Sequence, residues 1–99
     1  MIADDDSAIL ALLSYTFESD GFKVSLVKNG MEALDLASKR DFDVILLDMM
    51  MPELSGLAVT EALRQRDNYT PIIILTARDD DDLKLTGLNS GVADYLDKT

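Results

Sequence analysis

The chain has 99 residues, of which 47% are hydrophobic and 28% charged, as expected for one small globular domain. It contains neither cysteine nor histidine, which excludes disulfides, thiolate and imidazole metal sites, and catalysis by either side chain. Its 9 basic and 19 acidic residues give a net charge of −10, which favours divalent cations and basic partner surfaces over direct nucleic acid binding.

The apolar residues predict strands that alternate with helices, and therefore an α/β fold in which a parallel sheet has helices on both faces. Continuous apolar runs at 44–47 and 72–75 are typical of strands covered on both sides. The chain begins with the end of a strand at Ile2-Ala3, followed by a helix capped by Asp6 or Ser7 and stopped by Gly21 and by a strand in 22–27. A turn at Asn29-Gly30 then leads to a helix over 31–39 and a strand at 44–47. The remaining predicted elements are a helix from Ser55 or Gly56, a strand at 72–75, a helix from Asp79 or Asp80, and a strand at Tyr95-Leu96.

No apolar run approaches the ~20 residues that a membrane helix needs. Aspartates follow almost at once after Met1, which is unlike a signal peptide. We therefore expect no membrane association and a cytoplasmic location.

Polar residues stand where the predicted strands end. Asp4 and Asp5 follow the first strand, Asp48 the third and Thr76 the fourth, and Lys98 follows the fifth. In open α/β sheets, ligands bind outside the carboxyl ends of the strands. The sequence therefore predicts that these five residues share one rim, although each of them alone is also common at a helix start or a strand end.

Such a rim suits phosphoryl chemistry. Two carboxylates ~4 Å apart repel by about 4 kcal/mol at an effective dielectric of 20, so the cluster favours a bound cation. Oxygen ligands suit Mg²⁺, while the Lys98 ammonium and the Thr76 hydroxyl can neutralise phosphoryl oxygens. Asp48 can then act as the nucleophile and form an acyl phosphate.

These residues resemble the receiver domain of bacterial response regulators in two-component systems, and 87–95 is most similar to the subfamily with winged-helix output domains. The resemblance implies a flavodoxin-like, doubly wound, parallel five-stranded sheet in the order 2-1-3-4-5, with the domain spanning 1–99. It is carried by Ile2-Ala3-Asp4-Asp5-Asp6, by Leu46-Leu47-Asp48-Met49-Met50-Met51-Pro52 with Gly56, by Ile74-Leu75-Thr76-Ala77, and by Ala93-Asp94-Tyr95-Leu96-Asp97-Lys98.

The resemblance also implies a role for each matching residue. Asp48 would accept a phosphoryl group from a sensor histidine kinase, in a switch that is not a free-standing enzyme. Asp5, Asp48 and the backbone carbonyl of Met50 would ligate Mg²⁺, with Asp4 acting through water. The phosphoryl oxygens would be bound by Thr76, Ala77 and Lys98.

A change of position shared by Thr76 and Tyr95 would pass the signal on. It would bias the face of the fourth helix and fifth strand toward partner binding, including a homodimer through that face. Met50 and Arg78 would tune hydrolysis of the acyl phosphate.

The chain departs from the family pattern at both ends. The family has a full first strand, of which Ile2-Ala3 remains, and it continues from the lysine into a proline and a fifth helix, where Thr99 stands here. We therefore expect an incomplete receiver domain, with the first strand mostly missing and the fifth helix absent.

Two other functions compete with the phosphorylation switch. A receiver-like binding module would keep the fold without being phosphorylated in this truncated form. A phosphatase with an aspartyl nucleophile would need a second acid two residues after the nucleophile, and Met50 in that position disfavours it.

Overall fold

The computed structural model describes residues 1–51, 53–76 and 94–97, and only the backbone of Thr76 and Asp94–Asp97. The five strands form one parallel sheet in the order β2-β1-β3-β4-β5, which confirms the predicted fold class. The elements are β1 (Ile2–Ala3), α1 (Ser7–Ser19), β2 (Leu26–Val27), α2 (Gly30–Lys39), β3 (Ile45–Asp48), α3 (Gly56–Gln65), β4 (Ile72–Thr76) and β5 (Asp94–Asp97). The helix predicted from Asp79 or Asp80 lies outside the described residues.

Strand β1 has two residues, as predicted, yet it joins its two neighbours. Ile2 pairs with Leu26 on one side and Leu46 on the other. Its N–H donates to the Ser25 carbonyl at 2.9 Å, and the Leu46 N–H donates to the Met1 carbonyl at 2.9 Å. A two-residue strand therefore suffices to join β2 to the rest of the sheet.

Alternate strand residues face opposite sides of the sheet, which divides the core into two layers. One layer consists of Ile2, Leu46 and Leu75 of the sheet together with Leu10 of α1. The other layer unites side chains of β3 and β4 with α2 and α3 and includes Ala33, Leu34, Ala37, Ile45, Leu47, Val59, Leu63, Ile72 and Ile74. Helices thus cover both faces, as the uninterrupted apolar runs predicted.

The predicted strand over 22–27 is shorter in the structure, where β2 begins at Leu26. The end of α1 explains the difference. Gly21 has a φ of 92°, and the Phe22 N–H turns back to donate to the Phe17 carbonyl at 3.1 Å. The two phenyl rings meet edge to face with centroids 5.7 Å apart, so Phe22 belongs to the helix end rather than to the strand.

Each described helix begins at a residue whose side-chain oxygen accepts a backbone N–H of the first turn. The caps are Asp6 for α1, Asn29 for α2 and Ser55 for α3. The prediction of a turn at Asn29-Gly30 was therefore wrong in kind, because Asn29 caps a helix that starts at Gly30. No helix in the described ranges is long and apolar enough to cross a membrane.

Candidate functional site

Three carboxylates meet at the carboxyl end of the sheet. Asp4 and Asp5 follow β1, and Asp48 ends the neighbouring β3. The three side chains each offer a carboxylate oxygen, and these oxygens lie within 4.8 Å of one another. The predicted convergence of two separate segments on one rim is thus present for these three residues.

The three carboxylates differ in exposure. Asp4 is fully buried and Asp48 is 3% exposed, whereas Asp5 lies at the surface. Their mutual repulsion is strongest on the buried side, where water screens it least. A hard cation is the simplest way to offset this repulsion, and the exposed Asp5 leaves the cluster open to solvent. The donor set therefore fits Mg²⁺.

The turn that starts α1 also orients Asp4. The Asp4 Oδ1 accepts the Asp6 N–H at 2.9 Å, and the Asp6 Oδ1 in turn accepts the Ala8 N–H at 2.9 Å. The cluster consequently lies beside the N-terminus of α1, where the helix dipole favours negative charge.

The loop after β3 is fixed by backbone contacts on both sides of Met49. The Met49 N–H donates to the Leu75 carbonyl at 2.9 Å, and the Met49 carbonyl accepts the Gly56 N–H at 3.0 Å. The Met50 N–H lies 3.4 Å from the Asp48 Oδ1, which is a long hydrogen bond. These contacts hold the Asp48 backbone between β4 and the start of α3.

The same loop packs against α2. A Cβ on Gly30 would lie 2.1 Å from the Leu54 carbonyl oxygen, so no other residue fits there without moving the loop. Glu53, just before Leu54, has a φ of 72° in the left-handed region. This contact between Gly30 and Leu54 was not predicted from the sequence. The only signal for the contact is the glycine itself, which also suits a turn.

The remaining predicted site residues are described in part or not at all. Thr76 ends β4 and pairs with Asp97 of β5, and Tyr95 pairs with Ile74, so both backbones are placed in the sheet. The structure does not describe the side chains of Thr76 and Tyr95. Ala77, Arg78 and Lys98 lie wholly outside the described residues.

Comparison with known proteins gives a family. A family model described as the response regulator receiver domain matches residues 1–99. The uncharacterised transcriptional regulatory protein YkoG of Bacillus subtilis is 43% identical over 98 residues, which are 99% of this chain and 43% of that protein. The response regulator MprA of a Mycobacterium species is 41% identical over 98 residues, 99% of this chain and 43% of that protein. The chain thus spans less than half the length of these relatives.

Solved structures agree with this family. The receiver domain of the Francisella response regulator 1452 has a TM-score of 0.92 and 41% identity, covering 98% of this chain and 80% of that one. The receiver domain of the sensor histidine kinase PA1611 of Pseudomonas aeruginosa, with a magnesium ion coordinated in its active-site cleft, has a TM-score of 0.88 and 31% identity, covering 98% and 81%. The chain therefore belongs to the family of response regulator receiver domains, the signalling modules of two-component phosphorelays.

Proposed function

We propose that this chain is a phosphorylation switch in which Asp48 accepts a phosphoryl group from a sensor histidine kinase in the presence of Mg²⁺. The observation that carries the proposal is the cluster of Asp4, Asp5 and Asp48, whose carboxylate oxygens lie within 4.8 Å of one another. Receiver domains are signalling switches rather than classical enzymes, and a family model for them matches the whole chain.

Asp5 and Asp48 would hold the cation directly, together with the Met50 backbone carbonyl, while Asp4 would act through water. Bound Mg²⁺ would supply positive charge to the oxygens of the transferring phosphoryl group. Asp48 has the position of a nucleophile, because it ends a buried strand and its backbone is held between β4 and α3. An oxygen of Asp48 would attack phosphorus as the P–N bond to the donor imidazole breaks, leaving an acyl phosphate.

Thr76, Ala77 and Lys98 would bind the phosphoryl oxygens. Support for Thr76 comes from the register, because β4 lies beside β3 and Thr76 is the residue that ends it. We further propose that Thr76 and Tyr95 move together on phosphorylation, which would change the face of β5 and the predicted fourth helix.

The chemistry would stop at transfer and slow hydrolysis. An aspartyl phosphatase needs a general acid two residues beyond its nucleophile, and the residue there is Met50. The Met50 thioether cannot donate a proton, so we do not expect turnover of small phosphoesters.

The partners follow from the family and from charge. Receiver domains pair with sensor histidine kinases, and we propose a homodimer through the face of β5 and the predicted fourth helix. The chain carries a net charge of −10, so we propose that it does not bind nucleic acid itself. DNA binding would belong to a separate output domain, and two relatives are named as transcriptional regulatory proteins. We propose that residues 1–99 form one receiver domain that works in the cytoplasm.

The decisive experiment is phosphorylation by a small phosphodonor. The chain and Asp48→Asn are each incubated with acetyl phosphate and Mg²⁺, and their intact masses are recorded. We expect one phosphoryl adduct on the parent chain and none on Asp48→Asn or in the presence of a chelator. No adduct on a chain that circular dichroism shows to be folded would leave a receiver-like binding module instead.

A further inference from the structure

Three consecutive methionines follow Asp48, and they differ sharply in exposure. Met49 is 3% exposed and Met51 is 9% exposed, and both belong to the core layer beneath α2 and α3. Met50, between them, is 71% exposed. The two buried neighbours fix the loop on either side and leave the Met50 side chain accessible to solvent.

Exposure decides which thioether an oxidant reaches. Among the five methionines of the chain, Met31 is 50% exposed and Met1 is 7% exposed. Met50 is thus the most exposed methionine, and Met31 on α2 is the next. Met49 and Met51 serve as internal controls, because they share the local sequence but not the accessibility.

The Met50 backbone lies at the acidic cluster. Its N–H lies 3.4 Å from the Asp48 Oδ1, and Asp48 shares the cluster with Asp4 and Asp5. The sulfur is three bonds from the α-carbon on a flexible, unbranched side chain. Rotation about the bonds of this side chain can turn an oxygen atom added to the sulfur toward the cluster.

We propose that Met50 is an oxidation site at which a peroxide converts the thioether to a sulfoxide and thereby strengthens divalent cation binding by the acidic cluster. The sulfur lone pair attacks one peroxide oxygen, the O–O bond breaks, and the departing hydroxide takes the proton of the new S–OH group, which leaves the sulfoxide and water. Sulfur is oxidised by two electrons, and the peroxide is reduced. The apolar side chain becomes polar and gains a hard oxygen acceptor, the ligand type that Mg²⁺ prefers.

The first measurement maps the modification. The chain is treated with limiting hydrogen peroxide, and sulfoxide at each methionine is quantified by peptide mass spectrometry. We expect Met50 to react about tenfold faster than Met49 and Met51, with Met31 next. Equal rates at Met50 and its two neighbours would overturn the proposal.

The second measurement is Mg²⁺ affinity by calorimetry before and after peroxide, with each protein compared with its own untreated sample. We expect affinity to rise about two- to fivefold in the parent chain and in Met31→Leu, but not in Met50→Leu. An unchanged affinity in oxidised parent chain, or a rise that persists in Met50→Leu, would overturn the proposal.

The predicted rise in Mg²⁺ affinity rests on the proposed function, which includes the cation site. The two measurements distinguish failure of the cation site from failure of the oxidation proposal. Failure of the untreated chain to bind Mg²⁺ would overturn the proposed cation site and, with it, the effect on affinity. Selective reaction at Met50 would be decided by the peptide map in either case.

Discussion

The Asp48 carbonyl lies directly against the α-carbon of Gly56. A Cβ built on Gly56 would approach that carbonyl oxygen to 2.6 Å and the Ile74 Cδ1 to 3.2 Å. The start of α3 is thus pressed against the strand end that presents the Asp48 carboxylate.

Substitution of Gly56 should therefore also displace Asp48 in the acidic cluster. We expect Gly56→Ala to lower the free energy of unfolding by about 1–3 kcal/mol, because the added methyl must displace backbone. Mg²⁺ affinity should fall with it, as Asp48 shifts. Chemical denaturation and calorimetry measure the two effects.

Gly21→Ala is the matched control for Gly56→Ala. Gly21 has a φ of 92° with open space around it, so alanine there should cost about 1 kcal/mol through backbone strain alone. Its Mg²⁺ affinity should stay at the parent value. A loss of affinity as large as that of Gly56→Ala would show that general destabilisation explains both.

The contact between Gly30 and Leu54 gives a second prediction. We expect Gly30→Ala to destabilise the fold by about 1–3 kcal/mol, since a Cβ would lie 2.1 Å from the Leu54 carbonyl oxygen. Hydrogen exchange should quicken in the loop before α3 more than in β4. Uniform quickening in both segments would contradict a local effect of this contact.

Removal of one buried carboxylate should relieve repulsion within the cluster. In the absence of divalent ions, we expect Asp48→Asn to raise the free energy of unfolding by about 1 kcal/mol, because an amide carries no charge. Asp41→Asn is the control, since it makes the same change at an exposed position between α2 and β3. A gain of the same size in both variants would indicate net charge rather than the cluster.

Cation binding should stabilise the folded chain by mass action. At a Mg²⁺ concentration of 100 times Kd, we expect a gain of about 2.7 kcal/mol in the free energy of unfolding. Thermal unfolding with and without Mg²⁺ measures it. Asp5→Asn should lose most of the gain, and an undiminished gain in that variant would remove Asp5 from the cation site.

Substitution of the α1 cap should change both the free energy of unfolding and the Mg²⁺ affinity, whereas substitution of the α2 cap should change only the former. Asp6→Ala and Asn29→Ala should each cost about 1 kcal/mol, because each removes the oxygen that caps a helix. Only Asp6→Ala should also weaken Mg²⁺ binding, because loss of the cap loosens the turn in which the Asp6 backbone N–H, itself retained in the variant, orients Asp4. Equal Mg²⁺ affinities in the two variants would contradict the coupling of this turn to the cluster.

Local patterns predicted much of the fold. The apolar runs placed β3 and β4, and short polar residues placed the start of α1 at Asp6 or Ser7 and that of α3 at Ser55 or Gly56, because these signals act within a few residues. The grouping of Asp4, Asp5 and Asp48 followed from the rule that parallel strands end on one side of the sheet.

The features that were not predicted depend on tertiary contacts. The late start of β2 depends on the packing of Phe22 with Phe17, and the role of Gly30 depends on Leu54, which comes much later in the chain. The burial of Met49 and Met51 around an exposed Met50 likewise depends on the core layer that the loop joins. None of these partners is marked by spacing alone.

The two-residue β1 has a consequence for how the site assembles. Ile2 pairs with Leu46, so one half of the acidic cluster is joined to the other only when a loop on the order of 40 residues closes. Such closure loses chain entropy before the contact is made, and non-local contacts of this kind slow folding. Competence to bind a cation should therefore appear late in refolding, after α1 and α2 have formed, and should report completion of the sheet.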